Sequence, residues 1–203
     1  MTTDPIPAGL SLLLGRHSVG PKHLAGPGPG DAELALAAAA ALRAPDHEKL
    51  VPFRFAVVRG VAREALADLF EDYGRRRGKS ADEVAGERDR ATRPPVVVAV
   101  TVRIDPAHPD VPPHEQWVCA GGAVANFLNA LYALGYAGKM LSGARAADAG
   151  IAAAFCRPGE SLLGWIALGT ATTPPHPRGV EDARSVLGPW PPAADPDQGA
   201  PRT

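Results

Sequence analysis

GGAVANFLNALYALGYAGKMLSGA, residues 121 to 144, decides the architecture, because it joins a long uncharged apolar run to a short strand-like stretch flanked by glycine. From Ala120 to Gly138 no side chain is charged, and the run is nearly long enough to cross a bilayer. Gly121, Gly122, Asn126 and Asn129 would be costly in a lone lipid-facing span, and no other stretch resembles one. The run is therefore read as a buried helix, which must be covered by protein on most sides. Ala120, Gly121, Ala123 and Ala125 would let a second helix approach closely. That points to a core or a dimer interface.

Working outward, Pro94 and Pro95 precede VVVAVTVRI (96–104), whose unbroken apolar start predicts a central strand covered on both faces. FRFAVV (53–58) and LLGWIALG (162–169) predict two further strands, and GKMLSGA a short one. Helices are expected over residues 6–14, an amphipathic one, and over 32–42, with Asp31 as its N-cap and Pro45 beyond its end. Residues 61–73 and 80–90 read as two charged peripheral helices, and 145–155 as a last one. The order lacks the regular strand-helix-strand rhythm of a doubly wound sheet, so the expected class is α+β, a sheet with helices packed on it. The length fits one domain, 1–188, and the Pro-rich residues 189–203 read as a disordered tail.

The 203 residues carry a net charge of −1, without the basic excess that nucleic-acid binding leaves in a composition. Nucleic acid and membrane are not expected as partners. Cys119 and Cys156 sit in apolar or helical surroundings and no export signal is evident, which fits free thiols in a reducing cytoplasm. No second pair joins His114-Glu115 or Asp46-His47 at a metal-ligand spacing, so no metal is expected.

Arg16-His17-Ser18 follows the first helix and precedes Gly20; a guanidinium fork, a hydroxyl and a glycine-containing turn suit a phosphate. Taken alone, the triplet is more often a polar helix end. RAPDHEKLVPFRF (43–55) raises the same choice: Arg43 would cap its own helix and His47 would be a surface residue, or both would serve a site. GYAGKMLSGA (135–144) would let backbone groups run along a flat aromatic ligand, or its glycines mark close packing. Cys119 with His114 invites a thiol nucleophile and its base, but Cys119 opens an apolar helix where a thiolate is disfavoured.

In order, GRHSVGPK, RAPDHEKLVPFRFAVVRG, GGAVANFLNALYALGYAGKMLSGA and GWIALGT resemble the nitroreductase family, closest to the compact subgroup that carries Arg-Ala-Pro-Asp-His at this place. The likeness covers most of residues 8 to 172. It implies a mostly antiparallel central sheet flanked by helices, and a homodimer built around the buried central helix with FMN at the subunit interface. It also implies an oxidoreductase that takes hydride from NADH or NADPH and reduces nitro compounds, quinones or similar small-molecule acceptors by a ping-pong mechanism. Flavin carries that chemistry, so no catalytic side chain is expected. A non-enzymatic flavin-binding module of the same fold is the alternative.

The resemblance assigns Arg16 and Ser18 to the FMN phosphate with His17 beside them, and Lys22 to the electron-rich pyrimidine edge. Arg43 and His47 would reach the flavin of the other subunit, and Met140, Leu141 and Ser142 would line ring and phosphate. The chain departs from its relatives where Leu141 stands in place of a frequent basic residue, and only Arg178 offers itself as a C-terminal phosphate cation. Each lost charge-assisted contact is worth about 1.5 to 3 kcal/mol, so weakened FMN affinity is expected.

Overall fold

A computed structural model describes residues 6–174 and 182–190. Arg178 lies outside the described residues, as do residues 191–203 of the C-terminal tail. The α+β expectation holds: the five-stranded sheet is antiparallel in every pairing among the described residues.

Its centre is β3 (Val96–Val102), buried at all seven positions. On one side it pairs with β2 (Phe53–Arg59), on the other with β5 (Ser161–Ala171). Side chains of a strand alternate between faces, and here that alternation sorts two cores. Val96, Val98, Val100 and Val102 face a cluster with α5 (Pro113–Ala133), while Val97 and Ala99 face one with α3 (Ala62–Arg76). A strand wedged between two such layers has no polar face to show, hence its near-continuous valine.

α2 (Asp31–Ala41) lies along α5, where Ala37 and Ala41 meet Ala120 and Ala123 in the same cluster. The small side chains read as an approach surface therefore receive α2 on one side of α5. Gly121 and Ala125, on the other side, stay exposed, with Trp117 and Val118. Covering on most sides is thus not achieved within one chain.

Several expectations need correction. The N-cap of α2 is Gly30, and Asp31 is already helical; the Glu33 carboxylate reaches back to accept from the Gly30 N–H at 3.0 Å. An acid in the first turn opposes the positive end of the helix dipole in either arrangement, which is why the sequence signal misplaced the boundary by one residue. α3 is not peripheral: Leu66, Ala67, Phe70 and Tyr73 bury against the sheet. α4 (Ala81–Thr92) packs on α3 and is tied to it by Arg88, which donates to Glu64 at 2.7 Å and Glu71 at 2.9 Å. The central helix begins at Pro113, before its uncharged stretch, so Cys119 sits two turns inside it. α1 (Ala8–Gly15) carries no polar side chain but Ser11, so it lacks the polar face of an amphipathic helix, and it has no buried residue, with Leu14 67 % exposed.

Two smaller strands finish the sheet. β1 (Leu24–Ala25) and β4 (Ala137–Leu141) both pair with β5. Opposite β3, the register of β5 skips Leu163 between Val100–Gly164 and Thr101–Leu162, which is a bulge. The carbonyl of Leu163, freed from the ladder, accepts the Ser142 hydroxyl at 2.8 Å. The bulge thereby fixes the residue that follows β4.

Arg54 of β2 reaches across to the turn before β5, donating to Glu160 through Nε at 3.0 Å and through Nη2, and to the Phe155 carbonyl at 2.6 Å. The Arg54 hydrogen bond, against the opposing effect of burial and with help from the Arg157 N–H, holds the Glu160 carboxyl down at about 2. Because that value lies below the ordinary 4.5, the pair contributes stability above pH 4.5, and the contribution is lost as pH falls from there towards 2. Glu160→Gln is expected to lower stability at neutral pH by about 2 to 3 kcal/mol and to flatten the melting profile across that acid window. Thermal melts from neutral pH downward check both effects; parallel profiles for the two proteins would contradict them.

Candidate functional site

The segment after α1 runs along the outer edge of β4, with the Val19 N–H donating to the Gly138 carbonyl at 3.1 Å. Arg16 and His17 are half-buried there, beside Tyr132 and Gly138, and Ser18 is exposed. His17 Nδ1 lies 2.9 Å from the Gly15 carbonyl, which can only accept, so Nδ1 carries the hydrogen. Nε2 is buried and has no partner among the described residues. The crevice beside Arg16 and His17 is about 10 Å³, room for one water, so a group bound by Arg16 would lie at its mouth and not inside it.

A larger recess of about 230 Å³ opens on the α3 side of the sheet. Its floor is Trp165 and Ala167 of β5 with Val97 of β3; its walls are Phe70 of α3, Arg90 of α4 and Arg145 of the turn after β4. Leu141, Ser142 and Pro21 complete the rim. Trp165 meets Phe70 edge-on at 5.1 Å between ring centroids, so the apolar wall is largely aromatic. Trp165 Nε1 and Arg145 Nε are buried without a hydrogen-bond partner among the described residues. An apolar recess with a few convergent polar groups is the usual form of a small-molecule site.

Of the nine expected site residues, Leu141 and Ser142 line this recess, and Lys22 is exposed on the turn that contributes Pro21. Met140 does not join them. Pairing with Ile166 while Leu141 pairs with Trp165, it points to the opposite face of the sheet and packs on the α5 core. Arg43 and His47 stand elsewhere, in the α2–β2 connection. Arg43 is exposed and makes no side-chain hydrogen bond or ion pair among the described residues.

His47 Nδ1 lies 2.8 Å from Glu115 at the start of α5, and that hydrogen bond, with the negative charges around it, raises the His47 pKa. The connection is strained: Glu48, Lys49 and Val51 all have positive φ, at 59°, 57° and 48°. The Asp46 carboxylate braces it by accepting from Leu50 N–H at 3.2 Å and Val51 N–H at 2.9 Å. A β-branched residue in the left-handed region persists only where its surroundings enforce it, as the Asp46 brace does here.

The thiol reading fails on geometry and charge. Cys119 is in the core, and burial, with the nearby Asp46 carboxylate, pushes its pKa up to about 11. His114 is exposed on the first turn of the same helix. Cys119→Ser is expected to leave any turnover unchanged, and iodoacetamide to leave native Cys119 unmodified; inactivation by either would restore the thiol.

The sequence of the chain matches the Nitroreductase family model over residues 13–170. The chain belongs to the nitroreductase family. Among curated relatives of this nitroreductase, "Putative NAD(P)H nitroreductase YdjA" of Escherichia coli K12 is 32 % identical over 162 residues, 79 % of this chain and 87 % of that protein. The fold is shared with a nitroreductase-like family protein from Bacillus cereus, at TM-score 0.75 and 16 % identity over 92 % of this chain and 97 % of that one. It is shared too with a Desulfovibrio desulfuricans protein described as a nitroreductase in complex with FMN, at TM-score 0.65 and 19 % identity over 92 % and 100 %.

Phe70, Arg90, Arg145 and Trp165 escaped the sequence reading. Arg145 stands three residues past Ser142 and Trp165 inside a strand motif, and neither spacing signals a ligand. Only the fold brings them together.

Proposed function

We propose that this chain is an FMN-dependent oxidoreductase that draws on NADH or NADPH and reduces nitro compounds, quinones or similar acceptors by alternating half-reactions. The observation that carries the reading is the recess itself. Leu141, Ser142 and the turn bearing Lys22 meet there around an aromatic wall with two buried, unpartnered N–H donors. Family membership and the name of the E. coli relative support it. The donor set fits a flavin: its ring is flat and its pyrimidine edge carries carbonyl acceptors that N–H groups can satisfy.

When bound, FMN supplies the hydride and electron chemistry. The chain's own residues hold and orient it. Arg16 and Ser18 receive the phosphate, with His17 beside them, its ring fixed by the Nδ1 hydrogen bond to the Gly15 carbonyl. Lys22 brings positive charge to the pyrimidine edge, while Leu141 and Ser142 flank the ring, Ser142 fixed by the Leu163 carbonyl. Met140, turned to the other core, contributes through its backbone. Leu141 supplies no cation, which favours the second reading, a flavin-binding module without turnover.

The working unit in this proposal is a homodimer, each chain a single domain, in a reducing cytoplasm. Leu10, Leu12, Leu13 and Leu14 of α1 and Trp117 and Val118 of α5 leave an apolar surface that a second copy would cover. Glu115, the partner of His47, is two residues from Trp117, so the strained connection borders that surface and would bring Arg43 and His47 to the neighbour's flavin. Cys119 and Cys156 are both free, and no helix among the described residues is long and apolar enough to cross a membrane.

The test is gel filtration of the protein with FMN, followed by oxidation of NADH and of NADPH with a nitroaromatic and a quinone. A yellow dimer that turns over with either donor supports the enzyme. A yellow dimer that oxidises neither supports the binding module, and a colourless monomer defeats both.

A further inference from the structure

Behind the recess lies a buried charge cluster that no local motif announces. Glu87 is on the inner face of α4 and 2 % exposed. Burial would raise its pKa, but the Lys79 hydrogen bond and the charges of Arg145, Lys79 and Arg90 outweigh that and hold it below the ordinary carboxylate value. Glu87 accepts from Lys79 and, at 2.6 Å, from Arg145 Nη1, while Arg90 Nε stands 3.8 Å away. Three cations surround one carboxylate, so the cluster is net positive, and two of the three line the recess.

Arg145 is the member best placed to act on a ligand. Its side chain is 17 % exposed and lies over the Phe70 ring at 5.3 Å, with Nη1 anchored by Glu87 and Nε unpartnered. Trp165, 2 % exposed, leaves Nε1 unpartnered in the same wall. Both atoms are donors only, and leaving a buried donor unsatisfied costs about 1 to 3 kcal/mol. Positive charge, two buried unpartnered donors on lining residues and flat aromatic surface together describe a ligand with a planar ring and an electron-rich acceptor edge. A phosphate would leave the aromatic wall unused.

We propose that Arg145, positioned by the buried Glu87 carboxylate, joins Lys22 at the pyrimidine edge of FMN and supplies from the recess wall a cation that Leu141 does not. This rests on the flavin reading above and names the residue that tunes it. A guanidinium stays charged at any working pH. Its field favours the ring after it has gained electrons, so Arg145 raises the midpoint potential of bound FMN as well as its affinity.

The test is fluorescence titration of apoprotein with FMN, and spectroscopic redox titration of the complex, for wild type and three variants. Arg145→Gln is expected to weaken FMN binding about tenfold or more and to move the midpoint potential to a more negative value. Arg145→Lys keeps the Glu87 pair, so it guards against loss of fold; it is expected to bind FMN more weakly but to keep the potential close to wild type. Arg75→Gln, at an exposed position on α3, is expected to change neither. Wild-type affinity and potential in Arg145→Lys, and in any folded Arg145→Gln, would overturn the assignment. Wild-type protein that ignores FMN would instead defeat the flavin reading on which it rests.

Discussion

Gly164→Ala is expected to destabilise the protein by about 4 kcal/mol or more, a fall in Tm of roughly 10 °C, and to leave much of it insoluble. Gly164 has φ +147°, a conformation that side chains rarely adopt, and a Cβ there would stand 2.1 Å from the Leu141 carbonyl oxygen. That oxygen belongs to the backbone of the paired strand, so no side chain can turn away to make room. The strain falls on the bulge that holds Ser142 through the Leu163 carbonyl, so the rim of the recess is lost with the strand pairing. Gly86→Ala is the control. Gly86 is helical with open space around it, and alanine there is expected to gain about 1 kcal/mol. Thermal melts compare the two, and a Gly164→Ala protein as stable as wild type would contradict the close approach of β4 and β5.

The second large effect is expected at Arg16. If Arg16 receives the FMN phosphate, Arg16→Ala removes a charge-assisted contact worth about 1.5 to 3 kcal/mol, so affinity falls by roughly ten- to a hundredfold. In this proposal Arg16 is the one cation assigned to the phosphate, and the variant is expected to emerge colourless from desalting. Its fold should be intact, because Arg16 caps α1 through its backbone, the N–H donating to Leu12 O, and its side chain makes no ion pair among the described residues. Equal flavin retention in Arg16→Ala and wild type would move the phosphate elsewhere. The expected signature differs from that of Arg145: Arg16→Ala should move affinity alone, Arg145→Gln affinity and potential together.

Much of the frame was legible because it rests on local signals. Val96 to Val102 read as a strand covered on both sides, and the uncharged run after Cys119 as a helix that packs on the core, though one side of it stays exposed. The start of that helix was less legible: Pro112, Pro113, His114 and Glu115 show the polar first turn that solvent-facing helix ends share with loops. The role of α3 was hidden because Leu66, Phe70 and Tyr73 are spaced among charges and its other buried residues, Ala67 and Gly74, are small.

The site divides in the same way. Leu141 and Ser142 were recognisable because a motif held them together, and the alternation of β4 then turned Met140 away from them. Glu87 left a trace in the sequence, since Val84, Glu87 and Ala91 fall on one helical stripe and an acid at a buried position needs partners. Those partners come from residues 79, 90 and 145, and only the folded chain brings Arg145 and its open Nε to Trp165.

The central claim, that bound flavin in this chain is reduced by a nicotinamide, is tested most directly by mixing the FMN-loaded protein anaerobically with NADPH or NADH and following the visible flavin absorption. The account predicts bleaching with at least one donor and recovery of the colour when a nitroaromatic or quinone is added. Retained flavin that keeps its colour with both donors would contradict it.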